Sequence, residues 1–566
     1  MVQQRPRRGN STVIDDGRTI PLGQVLKAGI CIIGAGPAGV TLALELAKRG
    51  KDVLMLEAGG WHADRRTQGD LEGEIGSAAH APLTECRSRQ FGGTSAVWSG
   101  RCLPLDAIDF EARDYVLSSG WPIGWEEIAR YYPQANRYCH AGACAYAWHE
   151  AFPHDPEAAG RDVQDGVLVG DRIERWSLPT HFGRHYRRPL ERSRAIRVLL
   201  HSVGLNLNLD PEGRRVVALD AAGAPGRHFR VVAETFIIAA GGLETTRLLL
   251  ASNQQDPRGT GNRDGLLGRY YMGHVFGSVA EIQFLKGTGS EFQLFLRDAD
   301  GVFCRRRLWL APATQRREKL LNTSFWTTNP PAADPAHGDG ILSAAYIALS
   351  LPILRDRIAP PAIQKMFRGD QACSSWWLHV RNVLHQLPET AAYGSRYFLK
   401  RLFAKRRIPA LFVPSPNGRY DLFYHAEQAP NRESRVKLAG SRDRFGMQRI
   451  SVDLRYQAQD IDSVVRAHEV VAEDLLRQGI ATVHFKKADV RRHILEQARD
   501  GFHQIGTTRM ASSERHGVVD EDCRVHGIAN LYVCGSSVFP TAGHANPMLT
   551  IVALAVRLAH RLEQHP

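Results

Sequence analysis

The sequence contains no apolar run of about 18 residues or more, the length that a membrane-spanning helix needs. Its start lacks the apolar stretch of an export signal, because Arg7 and Arg8 are followed by Gly-Asn-Ser-Thr at residues 9–12. The nine cysteines are odd in number and irregularly spaced, which is untypical of a disulfide framework. These absences favour a cytoplasmic protein without a spanning helix and without structural disulfides.

Pairs of metal ligands are also scarce. Cys139 and Cys144 lie close to His140, but no second pair of cysteines or histidines follows at ligand spacing, and we expect no metal site. The formal net charge is +13, a balance that can attract nucleic acid or anionic lipid. Because the basic residues are dispersed along the chain, we expect a solvated basic surface and no nucleic-acid partner.

The chain has 566 residues, more than one compact core usually organises, so two domains are expected. The segment Leu26–Glu57 predicts a βαβ unit, in which an apolar run at Ile30–Ile33, a helical pattern and a second apolar run at Val53–Leu56 follow one another. Such a unit is typical of a parallel sheet that binds a nucleotide.

Two more predicted strands run directly into glycines. Thr235–Ala240 precedes Gly241 and Gly242, and Leu531–Cys534 precedes Gly535. Three junctions of this kind, far apart in the sequence, indicate one nucleotide-binding sheet assembled from separate pieces of the chain. A second domain then accounts for most of the intervening residues, of which 280–440 carry no recognisable motif.

The loop Gly34-Ala35-Gly36-Pro37-Ala38-Gly39 is a GxGxxG sequence that directly follows a strand and directly precedes a helix. Its first glycine permits the tight turn, its second lets the backbone approach a pyrophosphate, and its third allows close packing of the helix. Glu57 ends the next strand, where an acidic side chain can accept hydrogen bonds from ribose hydroxyls. The segment therefore predicts a dinucleotide site, shared as a pattern by FAD and NAD proteins.

Several motifs outside this loop resemble those of the glucose-methanol-choline (GMC) oxidoreductase family. They are Glu57-Ala58-Gly59-Gly60, Phe91-Gly92-Gly93-Thr94-Ser95, Gly506-Thr507-Thr508-Arg509-Met510, Tyr532-Val533-Cys534-Gly535-Ser536-Ser537 and Asn546-Pro547-Met548-Leu549-Thr550. Within that family the chain is most similar to bacterial sugar- and glycoside-oxidising members related to pyranose oxidase. The resemblance implies FAD as cofactor and the oxidation of an alcohol.

The fold that this resemblance implies is α/β, with a discontinuous Rossmann-like FAD-binding domain and a second, α+β substrate-binding domain. The expected boundaries are 24–100, 191–275 and 500–566 for the FAD-binding domain and 101–190 and 276–499 for the other. The expected cofactor-binding residues are Gly34, Gly36, Pro37, Ala38, Gly39, Glu57, Ala58, Gly92, Gly93, Thr94, Ser95, Ala240, Gly535, Ser536, Asn546, Pro547 and Met548.

Two departures from the family limit what carries over. Val97 precedes Trp98 where relatives that attach FAD covalently have a histidine, and an aliphatic side chain has no nucleophile to offer, so we expect noncovalent FAD. The chain also lacks a haem motif of the Cys-x-x-Cys-His type, and any haem partner would be a separate chain.

The resemblance places two residues in the catalytic site. His503 matches the family's active-site histidine, and an imidazole suits the removal of a hydroxyl proton. Asn546 stands where the family has histidine or asparagine, and its amide can hydrogen-bond the substrate oxygen but is a poor base. His544, in the same loop, is a competing candidate for the base, and His274 is expected to be structural.

The expected function is therefore oxidation of a CH–OH group of a sugar, glycoside or cyclitol-like alcohol, with hydride transfer to flavin and His503 as base. The electron acceptor, oxygen or a quinone-type compound, and a homo-oligomeric state are left open. Two alternatives stand beside this interpretation. One is a flavin monooxygenase, which shares the GxGxxG loop, and the other is a GMC-like protein whose flavin is structural.

Overall fold

The large sheet of the protein takes its strands from three distant parts of the chain. The computed structural model describes residues 13–154, 166–178, 180–285, 295–351, 375–404, 406, 408–415 and 417–564. Across the large sheet the strands run in the order Ile14–Asp16, Ile196–Leu200, Val53–Leu56, Val25–Ile33, Arg227–Ile238, Val216–Ala224 and Val203–Leu209, with Leu531–Val533 also paired to Arg227–Ile238.

Most strand pairs of the large sheet are parallel, and their register aligns the glycine junctions. Ile238 pairs with Ile33 on one side and with Val533 on the other. Since each of these strands leads into glycine within a few residues, the three glycine turns meet at one edge of the sheet. This arrangement confirms the expected α/β fold with a discontinuous nucleotide-binding sheet.

Three helices follow these turns and cover the large sheet. They are Pro37–Lys48, Gly242–Ala251 and Met548–Gln564. The first begins with proline at its first turn, which is compatible with the fixed φ of that residue, and it packs against the third through a largely apolar face. Burial of that face fixes the direction of the first helix, whose N-terminus therefore lies at the glycine edge.

An antiparallel sheet forms the opposite side of the molecule. Its order is Ala481–Phe485, His274–Phe284, Arg419–Glu427, Thr323–Thr328, Leu308–Leu310 and Leu168–Val169. The helix Ala458–Arg477 covers one face with an apolar stripe that includes Ile461, Val464 and Val471. The other face carries His274, Phe276, Trp326, Phe423 and His425, which alternate with core residues along their strands as the strand period of two requires.

Two smaller sheets and further helices complete the described part of the chain. One small sheet pairs Leu296–Arg297, Phe303–Arg306, Ile173–Trp176 and Arg101–Cys102, and the other pairs Arg435–Arg442, Gln448–Asp453 and Glu74–Ile75. The remaining α-helices are Arg65–Gly69, Trp125–Ala129, Tyr132–Cys139, Trp148–Ala151, Phe182–His185, Arg187–Arg192, Pro312–Glu318, Gly340–Ser350, Trp376–His385, Leu387–Phe403 and Val490–Gln497. None of the helices in the described ranges is both long enough and apolar enough to cross a bilayer.

Candidate active site

A cavity of about 1800 Å³ lies between the glycine edge of the large sheet and the aromatic face of the antiparallel sheet. Its lining includes Gly36 and Glu57 on the side of the large sheet and Phe423, His425 and His503 on the side of the antiparallel sheet. Pockets for one small ligand usually measure roughly 300–1,000 Å³. The cavity therefore has room for a large cofactor together with a second, smaller molecule.

The three glycines of the GxGxxG loop differ in the space around them. A Cβ on Gly34 would come within 2.5 Å of the Ala239 carbonyl oxygen, and one on Gly39 within 2.0 Å of the Gly34 carbonyl oxygen. A Cβ on Gly36 would meet no protein atom within 4 Å. The outer two glycines thus allow close packing of the backbone, whereas the middle one leaves open space on the cavity side.

Open space of the same kind borders the other two glycine junctions. A Cβ on Gly241 or Gly535 would also meet nothing within 4 Å, and both residues line the cavity. The N-terminus of the helix Pro37–Lys48 faces this space, where its unpaired N–H groups and its dipole favour an anion. A dinucleotide pyrophosphate fits this cradle in both shape and charge.

The Glu57 carboxylate lies at the same end of the cavity and is 6% exposed. It accepts backbone hydrogen bonds from Ala35 at 2.9 Å and from Gly59 at 2.8 Å. Burial raises the pKa of this carboxyl above its usual range. These two hydrogen bonds hold the loop in place. Each carboxylate oxygen keeps a second lone pair, which can accept a hydrogen bond from a ribose hydroxyl.

Most of the predicted cofactor residues border the cavity. Those that line it are Gly34, Gly36, Pro37, Ala38, Glu57, Ala58, Gly93, Thr94, Ser95, Ala240, Gly535, Ser536, Asn546, Pro547 and Met548. Gly39 and Gly92 lie behind the lining. Gly92 has a φ of +92°, and a Cβ there would come within 2.3 Å of the Gly183 nitrogen, so its place in the site is to allow a tight turn.

His503 lies at the other end of the cavity, in a turn that follows the buried Asp500. Its side chain is 14% exposed. Its Nε2 lies 2.9 Å from the Asn546 amide nitrogen, and its Nδ1 lies 3.2 Å from an Asp500 carboxylate oxygen. The structure thus brings the two predicted catalytic residues together and adds an acidic partner.

Asp500 is held as an ionised carboxylate by the groups around it. It is fully buried and accepts backbone N–H bonds from Gly501 at 2.7 Å, Phe502 at 2.8 Å and His274 at 2.8 Å. Burial alone would raise its pKa, but the charge of His503 and the hydrogen bonds from His274 and His503 hold the pKa well below its usual range. A carboxylate can only accept hydrogen bonds, so it fixes a proton on the Nδ1 of His503.

Because Asp500 fixes the proton of His503 on Nδ1, the lone pair of the ring is on Nε2, on the side of the cavity. The Asn546 amide then donates to Nε2, and the opposite atom of that amide, Oδ1, is buried without a hydrogen-bond partner among the described residues. The one lone pair of Nε2 thus accepts from the amide, and a substrate hydroxyl that takes the place of the amide can donate its proton to Nε2.

Two more histidines pack around His503. The Nδ1 of His274 lies 2.9 Å from the Nδ1 of His503, and the rings of His274 and His425 have centroids 4.3 Å apart. The ligand atoms of the three imidazoles lie within 4.8 Å of one another, close enough to hold a metal ion. Burial lowers the pKa of His274 to about 4 and that of His425 well below its usual range, so both rings are neutral at neutral pH.

His544, the competing candidate for the base, lies outside the cavity lining. Its Nε2 lies 2.8 Å from an Asp106 carboxylate oxygen, and Arg307 donates to the same ring. Burial and the Arg307 charge lower the pKa of this fully buried histidine to about 4. Its backbone carbonyl, by contrast, accepts from the Nδ1 of His425 at 2.7 Å, which ties the loop to the histidine cluster.

The sequence motifs did not reveal every member of this site. Asp500 precedes His503 by three residues, and that spacing is the signal by which it could have been recognised. His274 was expected to be structural, yet it contacts His503 directly. His425 lies inside residues 280–440, where no motif was found, and only the register of the antiparallel sheet brings it to the cavity.

The side chain of Val97 also borders the cavity and is 45% exposed. The neighbouring Trp98 lines the cavity as well and donates from its indole nitrogen to the Thr180 carbonyl at 3.0 Å. An aliphatic group therefore stands at the position where a histidine would be needed for covalent attachment of a flavin.

Comparison with known proteins agrees with these features. Residues 29–260 match the family model described as FAD dependent oxidoreductase, and residues 430–555 match the model described as GMC oxidoreductase. The chain is 20% identical to the fructose dehydrogenase large subunit of Gluconobacter japonicus over 95% of this chain and 98% of that protein. It is 23% identical to paromamine 6'-oxidase of Streptomyces fradiae over 94% of this chain and 90% of that protein.

Solved structures show the same fold. The crystal structure of pyridoxine 4-oxidase from Mesorbium loti superposes with a TM-score of 0.53 at 16% sequence identity, over 95% of this chain and 100% of that chain. At this level of identity the likeness concerns the fold, and the chemistry of the site has to be argued from its own residues.

Proposed function

Because the chain belongs to the GMC oxidoreductase family and is an FAD-dependent enzyme acting on CH–OH groups, we propose that it oxidises a sugar, glycoside or cyclitol-like alcohol with His503 as the base. The observation that carries this proposal is the arrangement of Asp500, His503 and Asn546 at the end of the cavity opposite the glycine cradle. This arrangement supports the assignment of a base, an orienting amide and a nucleotide cradle to one enclosed space.

The proton of the substrate hydroxyl is the first requirement of the reaction. The Nε2 of His503 takes this proton, and the imidazolium that forms keeps its Nδ1–H bond to Asp500. The ionised carboxylate stabilises the new charge, as a charge-assisted hydrogen bond does. When bound, FAD supplies the acceptor for the hydride that leaves the carbon bearing this hydroxyl.

Asn546 positions the substrate in this proposal. Its amide nitrogen lies 2.9 Å from Nε2 of the base, and in this proposal a substrate hydroxyl replaces that hydrogen bond, donating to Nε2 and accepting from the amide. The Phe276, Phe423 and Trp326 rings form an apolar wall nearby, which limits the access of water to the reacting atoms. Lower water content strengthens the electrostatic interactions inside the site.

The neutral rings of His274 and His425 allow a positive charge to form on His503. If His274 or His425 carried a proton, its positive charge would oppose formation of an imidazolium at His503. Burial keeps both rings unprotonated at neutral pH, so a single positive charge forms in the cluster when the base acts. We assign His274 a positioning role, since it touches the base and does not line the cavity.

We propose noncovalent FAD, supported by the valine at position 97 beside the cavity. The purified protein should then be yellow and should release intact FAD when it is denatured. Flavin that stays with the precipitated chain would contradict noncovalent binding.

The location and the electron acceptor are further parts of the proposal. The described cysteines are free thiols, most of them buried, which supports a reducing compartment such as the cytoplasm. Oxygen or a quinone-type compound is proposed to reoxidise the flavin. A homo-oligomeric assembly is compatible with the proposed function.

Anaerobic mixing with a panel of sugars, glycosides and polyols tests the proposed function. The expected result is bleaching of the flavin by a subset of these alcohols, followed by recovery on addition of oxygen or a quinone. Steady consumption of NAD(P)H by the pure protein would indicate a monooxygenase instead. Conversion of an alcohol without bleaching would indicate a structural flavin.

A further inference from the structure

Buried arginines border the catalytic end of the cavity. Arg101 and Arg305 both line it, and both form ion pairs with Glu174, whose side chain is fully buried. The guanidinium carbon of Arg101 lies 4.4 Å from the centre of the Trp326 ring, and the centres of the Trp326 and His425 rings lie 6.4 Å apart. The Arg101 guanidinium therefore lies near the histidine cluster, at the end of the cavity where the alcohol is proposed to react.

The two guanidinium groups that line the cavity, those of Arg101 and Arg305, share one carboxylate, that of Glu174. A third buried guanidinium, that of Arg307, lies 3.9 Å from Asp106. Arg101, Arg305 and Arg307 thus share the carboxylates of Glu174 and Asp106. Burial lowers the pKa of Arg305 to about 10, which still leaves it charged at neutral pH. One carboxylate cannot neutralise two buried guanidinium groups, and a bound anion would offset the remaining charge.

The hydrogen-bonding capacity of Arg101 is also incomplete. Its Nε donates to Glu174, which leaves the two Nη groups outside that ion pair. Its guanidinium carbon lies 4.4 Å from the centre of the Trp326 ring, and that of Arg305 lies 4.6 Å from the same ring. These cation–π contacts hold both guanidinium groups in place but provide no acceptor for their N–H groups. A planar carboxylate matches the donors of a guanidinium.

We infer that the alcohol substrate carries a carboxylate, and that Arg101 and Arg305 bind it while His503 faces the hydroxyl. The inference rests on the proposed alcohol oxidation and narrows its substrate class to sugar acids and related hydroxy acids. Substrates that carry an ammonium group near the reacting carbon are disfavoured, because they would meet the same positive charges.

Three methyl glycosides of one pyranose ring test this directly. Methyl glucuronide, methyl glucoside and methyl glucosaminide share the hydroxyls at C3 and C4 and differ in charge, through a carboxylate at C6 of the first and an ammonium at C2 of the last. With the FAD-loaded enzyme and an artificial electron acceptor, kcat/KM for the glucuronide should exceed that for the glucoside about 10- to 100-fold, the range of a charge-assisted hydrogen bond. The glucosaminide should be the poorest substrate. A glucuronide that is no better than the glucoside would overturn the inference while leaving alcohol oxidation in place.

Variants link that preference to the arginines. Arg101→Gln should lower the glucuronide-to-glucoside ratio of kcat/KM about tenfold or more, and Arg101→Lys, which keeps a charge beside Glu174, should lower it less. Arg317→Gln removes an exposed arginine on the helix Pro312–Glu318 and should keep the wild-type ratio. An unchanged ratio in both Arg101 variants would overturn the inference, and FAD content with melting temperature reports whether each variant is folded.

A binding measurement separates this inference from the proposed function. Methyl glucuronide should perturb the flavin absorbance of the oxidised enzyme at a concentration about tenfold below that required of methyl glucoside. If no alcohol bleaches the flavin, the proposed function fails, and this binding ratio alone decides the inference. Equal binding of the two glycosides would then overturn it.

Discussion

The two ends of the cavity differ in what carries their proposed roles, the backbone at one end and ionisable side chains at the other. At the cradle end, the glycines Gly34 and Gly36 shape the backbone, and open space lies where a side chain of residue 36 would otherwise stand. At the other end, the side chains of His503 and Asn546 are proposed to carry the function, and burial sets the charge states around them. The first end depends on backbone shape, whereas the second depends on which groups are ionised.

This contrast predicts that the two ends fail in different ways. A side chain added at the cradle should weaken cofactor binding without altering the chemistry of the molecules that keep FAD. A side chain removed at the catalytic end should slow flavin reduction while FAD stays bound. Substitutions at each end therefore need two readouts, FAD content and the rate of flavin reduction per bound flavin.

The largest effect is expected from His503→Ala. Loss of the base should slow anaerobic flavin reduction by roughly 100- to 10,000-fold, the range of general acid–base catalysis. FAD content should stay at the wild-type level, because His503 lies at the end opposite the cradle. His484→Ala, which removes an exposed histidine of the strand Ala481–Phe485, is the matched control and should reduce its flavin at the wild-type rate. Stopped-flow absorbance measures both, and loss of FAD from His503→Ala would break the contrast.

Asp500→Asn should produce the next largest effect. The amide loses the charge that stabilises the His503 imidazolium and can donate to Nδ1, which favours the wrong tautomer of the base. We expect flavin reduction to slow about 10- to 100-fold.

A double variant distinguishes a role of Asp500 in catalysis from one in folding. If Asp500 acts through His503, adding Asp500→Asn to His503→Ala should slow flavin reduction no further at equal FAD content. A double variant that reduces its flavin about tenfold more slowly than His503→Ala would count against the assigned partnership of Asp500 and His503.

Gly36→Val should act on the cofactor alone. The φ of Gly36 is −73°, a conformation open to any residue, so the new side chain meets only the space proposed for the pyrophosphate. Overpacking of this kind costs about 1–3 kcal/mol, and FAD should bind more weakly by the corresponding factor. Gly440→Val, at an exposed glycine with equally open space, is the control. Equilibrium dialysis of FAD measures the difference, and wild-type affinity in Gly36→Val would contradict the assigned cradle.

The smallest effect is expected from Asn546→Ala. The substitution removes a neutral hydrogen bond to His503, worth about 1 kcal/mol, so flavin reduction should slow about fivefold. A loss as large as that of His503→Ala would show that the amide does more than orient the substrate. The same stopped-flow assay, at equal FAD content, gives the comparison.

The same contrast explains how much of the molecule could be predicted from the sequence. The three strand-to-glycine junctions were predictable because each depends on residues adjacent in the chain, and the large sheet brings them to one edge in register. His503 and Asn546 were recognisable by their local motifs. Local patterns of this kind also revealed the fold class.

The catalytic surroundings were less predictable because they depend on contacts between distant segments. His425 has no sequence signal, and it reaches the cavity only because Arg419–Glu427 pairs with His274–Phe284 in the antiparallel sheet. The sharing of Glu174 by Arg101 and Arg305 likewise joins three separate segments. Packing of this kind is decided by the tertiary fold, and residue spacing along the chain does not report it.

The most direct test of the central claim compares two histidines of the C-terminal segment. Both His503 and His544 have a carboxylate partner, but only His503 lines the cavity. Anaerobic stopped-flow reduction of His503→Ala and His544→Ala, expressed per bound flavin, should show the large loss in His503→Ala and a rate within about tenfold of wild type in His544→Ala. Wild-type reduction in His503→Ala together with the large loss in His544→Ala would contradict the account and assign the base to His544.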